Sequence, residues 1–158
     1  MITKKISRPR IFLDSCVLIE GLLSPYSNSR GVLILGRAAI FQFIFAEVVI
    51  EETERFIMRG LTRDYEGFSP IYNDFSTLLS RLRIVRVPHT SREENLAARQ
   101  LIRHTNDIPV LAAAIQAKPN WFITDNIAHF NYDVAKATGL IIVTPKQFLY
   151  HAGRIFPL

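Results

Sequence analysis

Four carboxylic acids stand at positions from which they could act together: Asp14, Glu52, Asp107 and Asp125. Carboxylates that share one site repel one another, their pKa values rise, and a divalent cation relieves the repulsion. Oxygen ligands without a cluster of His or Cys favour Mg²⁺, or Mn²⁺, over zinc. A site of this kind activates water and stabilises charge on a transferring phosphoryl group.

Asp14 shows why a partner is needed. It interrupts the apolar stretch RIFLDSCVLIEGLL at the end of a predicted core strand. Burying a lone ionised carboxylate is costly unless another group pairs with it. A bound cation would remove that cost.

Glu52 lies on a predicted helix at 46–59. The helical repeat places the other three glutamates of this helix in one arc, which is typical of a solvated face. Glu52 instead projects between Val48 and Phe56, at the border of the apolar face. It is either a rim residue that reaches water or a ligand, and the ligand role is the hypothesis adopted here.

The other two acids have structural alternatives. Asp107 precedes a helix with proline in its first turn, which is typical of an N-cap, although one oxygen could cap while the other binds a metal. Asp125 and Asn126 follow the apolar run WFIT, where Asp and Asn are also ordinary turn residues. Ser15 and Thr124 are strand-end hydroxyls that could donate to carboxylates or to phosphate.

The elements that must position these residues alternate between strands and helices. The patterns predict strands at 10–13, 39–45, 83–87, 121–124 and 140–143, and helices at 16–23, 29–38, 46–59, 69–82, 91–105, 108–118 and 144–152. Alternation of this kind, with continuous apolar strands, indicates an α/β fold with a central, mostly parallel five-stranded sheet covered on both faces. Ligand sites in such sheets lie beyond the carboxyl ends of strands.

Local signals refine the helices. Ser69 is predicted to cap helix 69–82, with Pro70 in its first turn. Ser91 and Glu94 form a capping-box pattern at the start of helix 91–105. Residues 59–74 are predicted to connect elements within one domain, and that domain is expected to span residues 1–158.

Composition narrows the class of protein. The chain has 158 residues, 49% hydrophobic and 21% charged, which is typical of a globular protein. Its one cysteine, Cys16, allows no intramolecular disulfide and fits a reducing cytoplasm. No apolar run reaches the length of a membrane span, and no secretory signal is expected.

The charge suggests a partner. The net charge of +5 makes an acidic partner plausible, with nucleic acid first, although a basic protein without such a partner fits equally well. Basic side chains that could form a phosphate-binding rim are Lys4, Lys5, Arg8, Arg10, Arg81, Arg83, Arg86, Arg92, Arg99 and Arg103. His129 could touch phosphate and Phe130 is predicted in the core. The other histidines, His89, His104 and His151, lack metal spacing and are predicted on the surface.

Taken in order, four blocks of the chain resemble the PIN domain family. They are IFLDSCVLIEGLLSP with Asp14, EVVIEETERFI with Glu52, NDIPVLAAAIQAKPNWFITDNIAHF with Asp107, and GLIIVTPKQFL. The spacing in the family favours Glu52, in agreement with the argument from the helical face. The resemblance implies a three-layer α/β/α fold and an Mg²⁺-dependent endoribonuclease in which Asp14, Glu52 and Asp107 hold the metal.

Two positions depart from the pattern of the family. Cys16 stands where a small polar residue such as Asn is common. The usual Thr-x-Asp becomes Thr124-Asp125-Asn126, so the acid is displaced by one residue. The fourth ligand is therefore Asp125, Asn126 or a water held by either, with Ser15 and Thr124 in support.

The resemblance also implies partners. Many compact bacterial members are toxins of VapBC-like systems, which dimerise and are inhibited by an antitoxin. RNA, a cognate antitoxin and a second copy of the chain are thus the expected partners, in the cytoplasm. Two alternatives remain: a catalytically weak PIN-like module that binds RNA or protein, and a phosphotransfer enzyme with Asp14 as acceptor. Cys16 counts against the second alternative, because dehalogenase-like enzymes carry a second Asp at that position.

Overall fold

The computed structural model describes residues 8–63, 65–82 and 84–155. Its strands are β1 (Arg10–Leu13), β2 (Gln42–Ala46), β3 (Val85–Val87), β4 (Trp121–Ile123) and β5 (Ile142–Val143). Its helices are α1 (Ser15–Leu23), α2 (Asn28–Arg37), α3 (Glu47–Arg63), α4 (Tyr65–Arg81), α5 (Arg92–Arg99), α6 (Ile108–Ala117), α7 (Tyr132–Thr138) and α8 (Pro145–Ile155). A short 3-10 turn, Thr105–Asp107, leads into α6.

The five strands form one sheet in the order β3-β2-β1-β4-β5, and every pair is parallel. The chain first builds outward from β1 to β2 and β3, then crosses to the other side of β1 for β4. The strand order therefore reverses between β1 and β4, and the carboxyl ends of these two strands flank the crevice where open α/β sheets bind ligands.

The core explains why the central strand β1 is apolar at consecutive positions. Ile11, Phe12 and Leu13 are consecutive in β1 and all have no solvent exposure. Because alternate side chains of a strand point to opposite faces, both faces of the sheet must be covered. Helices cover them: α1 packs against α2, α3 and α4, and α5 packs against α6. The predicted three-layer α/β/α fold is confirmed, and its sheet is wholly parallel.

The predicted connection at 59–74 is wrong. Helix α3 continues to Arg63, and α4 already begins at Tyr65, so that Pro70 lies inside α4 instead of in its first turn. Packing between the two helices offsets the hydrogen bond that a proline inside a helix forfeits. Phe68 packs near Phe56, with ring centroids 6.2 Å apart, and Gly60 leaves room for the Phe68 ring, which a Cβ there would overlap.

Other boundaries follow local signals to different degrees. The capping box of Ser91 and Glu94 is present, but α5 ends at Arg99 instead of 105. Helix α7 was not predicted, although Asn131 caps it by accepting hydrogen bonds from the backbone of Asp133 and Val134. Phe130 is buried, as predicted.

Some predictions fall outside the described residues. Lys4, Lys5 and Arg83 of the proposed basic rim belong to this group. The single domain over 1–158 stays a prediction. Within residues 8–63, 65–82 and 84–155, no helix combines the length and the apolar character that crossing a membrane requires.

Candidate active site

Asp14 and Thr124 meet at the carboxyl ends of the two central strands. Leu13 pairs with Ile123 in the parallel register of β1 and β4, so the next residue of each strand lies side by side. The Thr124 hydroxyl donates a 2.7 Å hydrogen bond to Oδ2 of Asp14. Asp14 is 6% exposed and Thr124 is fully buried. The register of the sheet thus delivers a hydroxyl to a buried carboxylate.

The start of α1 supplies further donors to Asp14. Asp14 is the N-cap of α1, and its Oδ1 accepts a 2.8 Å hydrogen bond from the backbone N–H of Ser15. The Cys16 thiol donates to Oδ2 over 3.3 Å. Burial is the main reason that the pKa of the Cys16 thiol rises to about 12, so the thiol keeps its proton at neutral pH.

Glu52 lies at the same edge of the sheet as Asp14. The Ser15 hydroxyl donates a 2.7 Å hydrogen bond to Oε2 of Glu52, which links the first turn of α1 to the second turn of α3. Glu52 is half-buried, as its position at the border of the apolar face suggested. Ser15 therefore contacts both carboxylates, one through its backbone and one through its side chain.

Beyond burial, the charge of Asp107 contributes to the raised pKa values of Asp14 and Glu52. Burial raises the pKa of Asp14, and the charge of Asp107 adds to the effect, while the hydrogen bonds from Thr124 and Cys16 oppose it. Burial likewise raises the pKa of Glu52, with further contributions from the charges of Asp14 and Asp107. Asp14, Glu52 and Asp107 thus form one electrostatic cluster, for which a divalent cation is the natural counter-charge.

Asp107 does not act as a helix cap. It occupies the N-cap position of α6, but its side chain makes no capping hydrogen bond. Its Oδ2 lies instead 2.6 Å from Nδ1 of His129. The capping alternative is wrong, because the loop that follows β4 brings a stronger partner to the carboxylate.

The two candidates for the fourth position point to different neighbours. Asn126 donates its backbone N–H to the Thr124 hydroxyl, and its Nδ2 lies 2.9 Å from Nδ1 of His129. Asp125 is exposed, and its carboxyl group is within hydrogen-bond reach of Glu20 on α1. Burial raises the pKa of Asp125, and the charge of Glu20 adds to the effect. Asn126 therefore belongs to the Asp107 side of the crevice, and Asp125 to the Glu20 side.

The sequence did not predict the contacts of three residues near the site. Glu20 lies in α1 beside Asp125 and accepts a hydrogen bond from the buried hydroxyl of Ser29. His129 contacts Asp107, and the ring of His104 stacks on His129 with centroids 3.6 Å apart. The role of His104 was hidden because its stacking partner, His129, lies on a distant loop, although Asp107 follows His104 by three residues.

Six of the seven described arginines of the predicted rim are exposed, and Arg10 is half-buried. The exposed ones are Arg8, Arg81, Arg86, Arg92, Arg99 and Arg103. Arg86 pairs with Glu47 at 3.4 Å. Their exposure leaves them able to meet an anionic partner, but the pair with Glu47 shows that one of them has an acidic neighbour on the protein itself.

The donor set fits a hard divalent cation. Asp14, Glu52 and Asp107 offer carboxylate oxygens from three segments, and Asn126 can offer an amide oxygen. Oxygen donors of this type suit Mg²⁺ and Mn²⁺. The hydroxyls of Ser15 and Thr124 hold two of the carboxylates in place, as partners of metal ligands commonly do.

The comparison with known proteins gives one family. A family model described as the PIN domain matches residues 10–128. No curated protein matches the sequence.

Three solved structures illustrate the shared fold. The first is VapBC2 from Rickettsia felis, bound to a DNA fragment from its promoter. Its TM-score is 0.59 at 18% sequence identity, and the match covers 85% of this chain and 98% of that chain. The second is PAE2754 from Pyrobaculum aerophilum. Its TM-score is 0.61 at 11% sequence identity, and the match covers 97% of this chain and 96% of that chain. The third is FitAB bound to an IR36 DNA fragment. Its TM-score is 0.54 at 16% sequence identity, and the match covers 85% of this chain and 94% of that chain. At such identities the likeness shows the fold.

Proposed function

Because the chain belongs to the PIN domain family, we propose that it is an Mg²⁺-dependent ribonuclease that hydrolyses phosphodiester bonds of RNA. The observation that carries the proposal is the electrostatic effect of Asp107 on two other acids. The charge of Asp107 raises the pKa of both Asp14 and Glu52, so the three carboxylates act on one volume of space. That volume lies at the reversal point of the strand order, where α/β sheets bind ligands.

Asp14, Glu52 and Asp107 are the proposed holders of Mg²⁺, with Mn²⁺ as the other suitable ion. When bound, the ion lowers the pKa of water and neutralises charge on the phosphoryl group. Asn126 is proposed as the fourth residue of the metal site. Its side chain contacts His129, which in turn contacts Asp107, whereas the side chain of Asp125 lies near Glu20.

The hydroxyls keep the acids in position. Thr124 donates to Asp14 and Ser15 donates to Glu52, and each hydrogen bond stabilises the ionised form of its carboxylate. Because ionised carboxylates are the form that binds a cation, these two residues favour metal binding without contacting substrate. They are positioning residues in the proposed mechanism.

The test is cleavage of a single-stranded RNA by purified protein with and without Mg²⁺. Asp14→Asn is expected to lower the rate by about 100-fold or more, the effect of losing one electrostatic partner of a transition state. Asp133→Asn makes the same chemical change on the exposed start of α7 and is the matched control, expected to cleave like the wild-type protein. Equal cleavage by Asp14→Asn and wild type would reveal a contaminating nuclease and overturn the proposal.

The displaced acid in Thr124-Asp125-Asn126 favours one second candidate, a catalytically weak PIN-like module that binds RNA or protein. The same assay separates the two. RNA binding that persists in both variants, without Mg²⁺-dependent cleavage by the wild-type protein, would support the binding module.

We further propose that the protein is the toxin of a toxin–antitoxin pair in the cytoplasm, with a cognate antitoxin and a homodimeric state. The fold shared with VapBC2 supports this proposal. Co-expression with the product of the gene immediately upstream should give a stable complex in which RNA cleavage is lost. Light scattering after size exclusion should give twice the mass of the chain for the free protein.

A further inference from the structure

His104, Asp107 and His129 converge on one point at the edge of the carboxylate cluster. One ligand atom from each of the three residues lies within 4.8 Å of the others. Nδ1 of His129 is 2.6 Å from Oδ2 of Asp107, and the two imidazole rings stack at 3.6 Å with 17° between their planes. Neither histidine is a proposed ligand of Mg²⁺, although His129 contacts two residues of that site, Asp107 and Asn126.

Two tight turns hold these residues in place. The 3-10 turn brings Asp107 back toward His104. The backbone N–H of Asp107 donates a 3.1 Å hydrogen bond to the carbonyl of His104. In the loop after β4, the backbone N–H of His129 donates to the carbonyl of Asn126 over 3.2 Å. The backbone is thus pre-organised on both sides of the cluster.

The contacts of His129 fit a cation or a proton on Nδ1. Nδ1 of this ring faces the carboxylate of Asp107 at 2.6 Å and the amide nitrogen of Asn126 at 2.9 Å. A ring nitrogen cannot donate to the first and accept from the second at the same time. With the amide turned to present its oxygen, either a proton on Nδ1 that faces both oxygens or a cation bound to Nδ1 and to Oδ2 of Asp107 would give all three groups a partner.

The chemistry of the donors selects the ion. Two imidazoles and one carboxylate form a donor set that suits zinc and its transition-metal neighbours, and not Mg²⁺. Tetrahedral zinc with bonds of about 2.0–2.2 Å needs donor atoms roughly 3.4 Å apart. Nδ1 of His129 and Oδ2 of Asp107, which are 2.6 Å apart, would have to separate by rotation of these two side chains. The exposed ring of His104 would have to turn out of its stack on His129 to present a nitrogen to the ion.

We propose that His104, Asp107 and His129 form a zinc-binding site that overlaps the carboxylate cluster through Asp107. Zinc bound there would take Asp107 away from the Mg²⁺ ligands and would therefore inhibit RNA cleavage. The inhibition rests on the proposed function, whereas zinc binding does not.

Zn²⁺ affinity of the full chain, measured by competition with a chromophoric chelator, tests the site directly. Loss of an outer partner of a ligand already weakens metal affinity by about 10–100-fold, so His104→Ala is expected to weaken zinc binding at least as much. His89→Ala is the matched control, because His89 is a surface histidine paired with one acid, Glu51, and it is expected to bind zinc like the wild type. Co²⁺ substituted for zinc should give visible absorption bands in the wild type that His104→Ala lacks.

The proposal is overturned if His104→Ala binds Zn²⁺ as tightly as the wild type, or if His89→Ala loses as much affinity. In that event the cluster is a hydrogen-bonded pair of His129 and Asp107. Glu52→Gln separates the two proposals, since it should lose RNA cleavage while keeping zinc affinity. Where the wild type cleaves RNA, Zn²⁺ should raise the Mg²⁺ concentration needed for half-maximal rate, and His104→Ala should remove that effect.

Discussion

The hydroxyl of Thr124 donates a 2.7 Å hydrogen bond to Oδ2 of Asp14, across two neighbouring strands and 110 residues of sequence. Both side chains are buried. Among the hydrogen bonds that oppose the rise in pKa of Asp14, this one has the largest effect. It is therefore a direct control on when Asp14 becomes ionised.

Thr124→Val keeps the shape of the side chain and removes this hydrogen bond. The pKa of Asp14 should rise further, because the ionised carboxylate loses a donor. The pH profile of Mg²⁺-dependent cleavage is then expected to shift to higher pH, with the plateau rate recovered at alkaline pH. Thr124→Ser restores the hydroxyl and should return the profile toward that of the wild type. An unchanged profile in Thr124→Val would contradict the assignment of Thr124 as a positioning residue.

Asp14→Asn should raise the thermal stability of the metal-free protein at neutral pH. The pKa of Asp14 is raised in the folded state, so the folded protein binds more protons than the unfolded chain in the window above the ordinary range of Asp. The free energy of unfolding of the wild type therefore falls as pH rises through that window. Asp14→Asn removes this loss, and its Tm at pH 7 is expected to be higher than that of the wild type.

Melting curves at several pH values in EDTA measure this difference. The gap between Asp14→Asn and wild type should close toward low pH, where Asp14 is protonated in both states. Mg²⁺ should stabilise the wild type more than the variant, because a ligand that binds the folded state raises its stability. A gap that widens as pH falls would be inconsistent with a raised pKa.

Substitutions at 125 and 126 decide the fourth position. Asn126→Ala removes a side chain that contacts His129 and is expected to lower cleavage by roughly tenfold or more, the scale seen for partners of metal ligands. Asp125→Asn should have a smaller effect, since Asp125 turns toward Glu20. Rates and apparent Mg²⁺ affinities of both variants provide the measurement. The reverse order would assign the fourth position to Asp125.

Two helical glycines make a matched pair for testing the packing under the site. A Cβ at Gly36 in α2 would overlap the buried ring of Phe43 on β2, whereas a Cβ at Gly153 in α8 would meet nothing within 4 Å. Gly36→Ala should destabilise the protein by about 1–3 kcal/mol, the usual cost of overpacking. Gly153→Ala should stabilise it by up to ~1 kcal/mol, because alanine is the better helix former. Chemical denaturation of both variants tests whether α2 packs this closely on the sheet.

Much of the architecture could be predicted from local pattern. Short segments rich in apolar residues identified all five strands, although Gln42 and Arg86 interrupt two of them, and the position of Asp14 just after β1 follows from the first segment. Helix α7 and the joined course of α3 and α4 could not be predicted in this way. Pro70 is an unfavourable local signal, and α4 contains it while packing against α3 and α1.

The sequence by itself determined which carboxylates stand at strand ends and helix starts, because hydrophobic patterning and turn residues act over a few neighbours. Glu52 was selected in this way, and it lies beside Ser15 and Asp14. Only the tertiary structure decided the partner of each polar side chain. Asp107 contacts His129 and makes no capping hydrogen bond, and Asp125 lies near Glu20. Partners from distant segments compete with local hydrogen bonds once the sheet brings those segments together.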